Sequence, residues 1–212
     1  MTKYFLLYSL FITINSSLSG KNLKLANTFS DGIVFQRDKP INIWGSANPN
    51  QSINLRFGNE TKTAQSDDAG KWTITIGPLK ASSKPRAMSV KSEGNEIKIE
   101  DILVGEVWVC GGQSNMAWTL RGSTNADIEI PAANYPEIRF LKLPNVASPT
   151  ELDDFSKGKP TDWIGKWQKA IPPKVENCSA VAYYFARRLH RQLRVPIGII
   201  ENFSIFRPFS KA

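Results

Sequence analysis

Short runs from residue 23 to residue 100 carry an apolar side chain at every second position, and near Asp101 that period ends. Ile53, Leu55 and Phe57 alternate with Ser52, Asn54 and Arg56. Trp72, Ile74 and Ile76 alternate with Lys71, Thr73 and Thr75, and Ile97 and Ile99 alternate with Glu96, Lys98 and Glu100. A period of two turns one face of a strand to a core and the other to water. Turn signals separate the runs: Asn48-Pro49-Asn50, Asp67-Asp68-Ala69-Gly70 and Glu93-Gly94-Asn95. Short strands at this spacing predict a small antiparallel β-sandwich over residues 20–100.

Beyond Asp101 the pattern is strand, helix, strand. Leu103 to Cys110 reads as a strand buried on both faces, and Gly111-Gly112-Gln113-Ser114-Asn115 as a loop after it. Ile138 to Leu143 is a second strand. Ser179 caps a helix running to Arg194, and Val195 to Ile200 is a third strand. This alternation predicts a parallel sheet with helices on its faces. Residues 144–178, rich in Pro, Lys and Asp, read as surface loops. The fold class is therefore α+β with two domains, a sandwich at 20–100 and an α/β unit at 101–200.

The formal charge is +8, which raises the question of nucleic acid. The densest basic group, Arg187, Arg188, Arg191 and Arg194, shares its helix with a stripe of Val181, Phe185, Leu189 and Leu193. That is the pattern of a solvated face opposite a packed one, so no nucleic-acid partner is expected. Two cysteines and one histidine leave no structural metal site.

Residues 1–19 read as a secretory signal: Lys3, then an apolar run from Tyr4 to Ile14, then small residues at Ser17 and Ser19. The run is too short to span a membrane. A secreted or lysosomal protein follows, with no membrane attachment after signal removal. Export makes Asn59, Asn50 and Asn177 candidate glycan acceptors. It also leaves two states open for Cys110 and Cys178, a disulfide or two free thiols.

The stretch that carries chemistry runs from Gly105 to Met116. A buried strand ends in two glycines, then Gln113, Ser114 and Asn115 at a helix start. Glycine permits the sharp turn. A serine placed there projects from the carboxyl end of the sheet, where open α/β folds bind ligands, and the backbone amides of the turn face a developing oxyanion.

Gly112-Gln113-Ser114-Asn115 resembles the nucleophile block of the SGNH (GDSL-like) hydrolase family, in the form found in sialate O-acetylesterases. Phe29-Ser30-Asp31-Gly32-Ile33-Val34-Phe35-Gln36-Arg37 and Ile43-Trp44-Gly45 resemble that family's N-terminal β-domain. Ser179 to Arg187 and Val195 to Ile200 resemble its next helix and strand, so the likeness covers residues 23–200. The resemblance implies an esterase that removes O-acetyl groups from sialic acids or related acetylated sugars, without a cofactor. It makes Ser114 the nucleophile and an oxyanion donor through its N–H, flanked by Gly112, Gln113 and Asn115. Trp118 is a candidate to line the sugar site.

After Ile200 the family pattern continues with Trp-Gly-Gly-Thr and later with Gly-Glu-Ser-Asn and Asp/His blocks, which carry the oxyanion Asn and the base. Residues 201–212 do not follow it. His190, inside the helix pattern, does not replace the base. The resemblance therefore implies the N-terminal portion of such an enzyme, catalytically incomplete as it stands. The alternative is a secreted, non-catalytic glycan-binding or decoy protein.

Overall fold

The computed structural model describes residues 23–146, 149–155 and 164–203. The signal expected at 1–19 and positions 204–212 lie outside the described residues.

Among the described residues, eleven strands and three α-helices follow one another. The first eight strands are β1 (Lys24–Leu25), β2 (Val34–Gln36), β3 (Ile41–Ser46), β4 (Ser52–Phe57), β5 (Glu60–Gln65), β6 (Lys71–Ile76), β7 (Ser82–Ser92) and β8 (Asn95–Gly112). They are followed by α1 (Ser114–Ala117), α2 (Ala126–Ala132), β9 (Tyr135–Lys142), β10 (Trp167–Ala170), α3 (Ala180–Leu193) and β11 (Ile197–Phe203).

The period-two runs fold as their alternation requires. Ile53, Leu55 and Phe57 of β4 point inward, as do Trp72, Ile74 and Ile76 of β6. The sheet β1-β3-β6 packs over the strands around β4 and β7 to enclose one core. β5 and β7 complete this part. β5 pairs with β4 through a two-residue turn at Gly58-Asn59, and β7 lies between β4 and β8.

The two regions are joined at residue 100 within a single strand. β8 is one strand of 18 residues. Its first half pairs antiparallel with β7, residues 103–105 pair in parallel with β2, and its second half pairs in parallel with β11. The expected boundary is a kink within this strand at Asp101, whose φ is 56°. The two β-regions thus share one eight-stranded mixed sheet, β10-β9-β11-β8-β7-β4-β5, with β2 joined to β8. Close approach at the crossover depends on Gly105, where a Cβ would lie 1.9 Å from the Pro196 carbonyl oxygen.

β8, β11 and β9 run parallel, so their carboxyl ends lie together. A second core fills the space between these strands and α3. Ser179 caps α3, its Oγ accepting the Ala182 N–H at 3.3 Å.

Four expectations fail here. Residues 144–178 are not all loop, because β10 pairs antiparallel with β9 and buries Trp167 and Ala170. The strand over 103–110 is not buried on both faces. Leu103 and Val104 are buried, but Trp108 is 43% and Val109 68% exposed, because no described strand flanks β8 opposite β11 there. The inward face of α3 is Ala180, Ala182, Tyr183 and Ala186, while Val181, Phe185 and Leu193 are exposed. Small side chains let the helix approach the sheet closely, and Phe185 instead meets Trp108 edge-on at 5.2 Å. The arginine face is not simply solvated: Arg187 pairs with Glu129 and lies over Tyr184, and Arg191 lies over Tyr135.

Candidate active site

β8 ends at Gly112, whose φ of 151° is a conformation that L side chains rarely adopt. A Cβ there would meet the Met116 Cβ at 3.3 Å, whereas at Gly111 the nearest atom is an ordinary 3.4 Å away. Gly112 therefore makes the turn. Gln113 follows as the N-cap of α1 without a side-chain cap bond, so the amides opening the helix are left without a capping side chain. Ser114 is the first helical residue and is exposed, with Gln113 and Asn115 beside it. Among the described residues nothing hydrogen-bonds the Ser114 hydroxyl. Parallel register pairs Gly112 with Phe203 and Cys110 with Glu201, so Ser114 sits at the carboxyl end of the parallel strands.

The chain after Ser114 is fastened to the start of α3. Thr119 bridges Ser179, Leu120 N–H donates to the Cys178 carbonyl at 2.9 Å, and Ala180 N–H donates to the Trp118 carbonyl at 2.8 Å. Ser179 Oγ also lies 3.3 Å from Met116 Sδ. Beneath this junction is Glu201, 1% exposed, whose Oε1 accepts the Ser179 N–H at 2.7 Å. Among the described residues its Oε2 has no hydrogen-bond partner. Burial pushes the Glu201 carboxyl up to about 7, opposed by the Ser179 N–H and by Lys142. Sequence reasoning passed over Glu201 as the first residue outside the matched strand.

No family model matches the chain. Over 203 residues it is 27% identical to sialate O-acetylesterase of Mus musculus and 28% identical to that of Homo sapiens. These matches cover 88% and 87% of this chain and 37% of each of those proteins. The crystal structure of a carbohydrate acetylesterase from Xanthomonas citri matches with a TM-score of 0.80 at 32% identity, over 85% of this chain and 40% of that one. The chain is a homologue of O-acetylesterases over most of its length. It spans 37% of the length of the curated relatives it matches.

The other candidate residues of this O-acetylesterase relative do not gather at Ser114. His190 lies near the carboxyl end of α3, about 16 Å along the axis from Ser179 at ~1.5 Å per residue. Its Nδ1 is 2.8 Å from the Val195 carbonyl oxygen. Trp118 is 59% exposed, and its Nε1 donates to the Gly122 carbonyl at 2.7 Å. Cys110 and Cys178 are both free thiols, so the disulfide alternative fails in this structure. Burial, with Glu201 nearby, pushes both thiols up, Cys178 well above the usual range. Asn59 is exposed at its hairpin tip, and Asn50 is exposed with its amide donating to Asp68 at 3.1 Å. Asn177 is half-buried, and the Ser179 of its tripeptide is fully buried.

Among the described residues no three His, Cys, Asp or Glu side chains gather as metal ligands, and no helix is long and apolar enough to cross a membrane. Clefts of about 600 and 590 Å³ lie on the sandwich, and Ser114 lines neither.

Proposed function

We propose that this chain carries the nucleophile turn of a serine carboxylic-ester hydrolase that removes O-acetyl groups from sialic acids or related acetylated sugars. The observation that carries the reading is the exposed Ser114 hydroxyl, at the turn from Gly112 into α1, in a chain of O-acetylesterase ancestry. Ser114 Oγ attacks the acetyl carbonyl carbon while its proton passes to a base. The carbonyl oxygen becomes an oxyanion facing the Ser114 N–H. The sugar oxygen leaves with a proton as the free alcohol, and water then releases acetate from the Ser114 ester. The scheme uses no cofactor.

His190 is remote from Ser114, and no described acidic side chain hydrogen-bonds the hydroxyl. This reading therefore assigns the proton acceptor to polypeptide that the longer relatives carry beyond the matched stretch. Residues 20–100 then act as an accessory sandwich and 101–200 as the first part of the hydrolase unit. The pattern at 1–19 supports a secretory route, to the lysosome or the exterior.

The remoteness of His190 favours one second reading, glycan binding without hydrolysis. Two assays separate them: acetate release from O-acetylated sialic acid, and calorimetric titration with the same sugar. We expect the 212-residue chain to release acetate no faster than its Ser114→Ala variant. Binding by both proteins, with no release from any longer gene product, would favour the second reading.

A further inference from the structure

We infer that Glu201 is a positioning residue for the Ser114 turn, acting through Ser179, and that its ionisation is felt at Ser114. The inference rests on the reading of Ser114 as a nucleophile, but its geometry stands apart from that reading. Glu201 is buried in β11, directly beside Cys110 of β8 in the parallel register. One carboxylate oxygen holds the Ser179 N–H at 2.7 Å, while the other is enclosed without a hydrogen-bond partner among the described residues. Ser179 in turn is the post to which residues 116–120 are tied, through the Thr119 bridge, the flanking backbone bonds and the contact of its Oγ with Met116 Sδ. Met116 packs in α1 two residues from Ser114 and over Gly112. A buried carboxylate is thus linked to the nucleophile turn by three consecutive contacts.

A buried carboxyl with one unmatched oxygen favours its neutral form. When it ionises, the bond from Ser179 N–H becomes charge-assisted and shortens, and the negative charge faces the amino terminus of the fourteen-residue α3, which favours it. The post therefore tightens as Glu201 loses its proton. Facing Glu201 are Lys142 of β9, Cys110 of β8 and Cys178 before α3. Both thiols are raised from their ordinary value and stay protonated around neutrality, so they do not titrate in the same range.

The test is an amide NMR titration of the whole chain between pH 5 and 9, for wild type, Glu201→Gln and Ser179→Ala. In wild type we expect the Ser179 amide proton to move downfield with a midpoint near 7, and the Ser114, Asn115 and Met116 amides to shift with the same midpoint. Glu201→Gln is isosteric and keeps an acceptor for Ser179, and it should abolish the shared transition. Ser179→Ala should keep the transition at residue 179 and reduce it at 114–116. A Ser114 region that stays still while Ser179 titrates overturns the inference. So does a transition that survives in Glu201→Gln. Neither readout requires turnover. Coupled shifts in a protein whose longer forms show no esterase activity would support the positioning link and count against the esterase reading alone.

Discussion

Asp101 takes two hydrogen bonds from the Arg139 guanidinium, at 2.9 and 3.1 Å, and so pins the kink of β8 to β9. Arg139 is 4% exposed in its side chain, and it also donates to the Pro136 and Gly32 carbonyls. Lys169 of β10 reaches the same carboxylate at 3.0 Å. The kink thereby joins the strand that leads to Ser114 to both strands on the far side of the sheet.

Replacing Asp101 with Asn keeps a residue that tolerates the left-handed backbone but leaves a buried guanidinium without its anion. We expect a loss of about 2 kcal/mol in urea unfolding, less than a fully buried pair would cost because Asp101 is partly exposed. Asp101→Ala should cost more, since it adds backbone strain at φ 56°.

Burial alone would raise the Asp101 carboxyl, but the bonds from Arg139 and Lys169 outweigh it and hold it below the ordinary value of 3.8. A depressed folded pKa contributes stability that is present above the unfolded value and lost as pH falls through the folded one. Acid titration of wild type should therefore show a loss below pH 3.8 that is absent in Asp101→Asn.

Glu201 has the opposite sign. Its folded value lies near 7 against 4.5 unfolded, so the folded state holds the proton through that window and stability falls as pH rises across it. The shift corresponds to about 3 kcal/mol. Thermal unfolding followed from pH 4.5 to 7 should show this slope in wild type and a flatter one in Glu201→Gln.

Gly112→Ala places a side chain at φ 151° and against Met116. We expect a loss of about 1–2 kcal/mol in thermal unfolding. Gly111→Ala meets only ordinary contacts and should cost less than half as much, which separates the turn residue from its neighbour.

Expression through a eukaryotic secretory pathway should add a glycan at Asn59, on its exposed hairpin tip. Glycosidase treatment should then shift the mass of wild type. If Asn59→Gln shifts by the same amount, the acceptor lies elsewhere.

Where alternate residues are buried, the fold is legible in the sequence, as in β4, β6 and the first residues of β8. The Ser179 cap and the turn after β8 are legible as well, because capping and glycine chemistry are local. β5 was hidden because all its residues from Glu60 to Gln65 lie on an edge and none is buried. The outer half of β7 is equally polar. The continuity of β8 was hidden because Asp101 reads as a turn residue, and its partners Arg139 and Lys169 lie about 40 and 70 positions away, a tertiary arrangement with no local signature. The large apolar stripe of α3 misdirected the packing, since the sheet accepted its alanines and Tyr183 instead. Glu201 escaped notice because a charged residue at the end of an apolar strand resembles a boundary rather than a buried post.

The central claim is that Ser114 is the nucleophile of O-acetyl ester hydrolysis. Acetate release from an O-acetylated sialic acid, measured on the longest gene product containing this chain and on its Ser114→Ala variant, tests it most directly. The account predicts release that falls by about 10³-fold or more when Ser114 is lost. Equal release from the two proteins would contradict it.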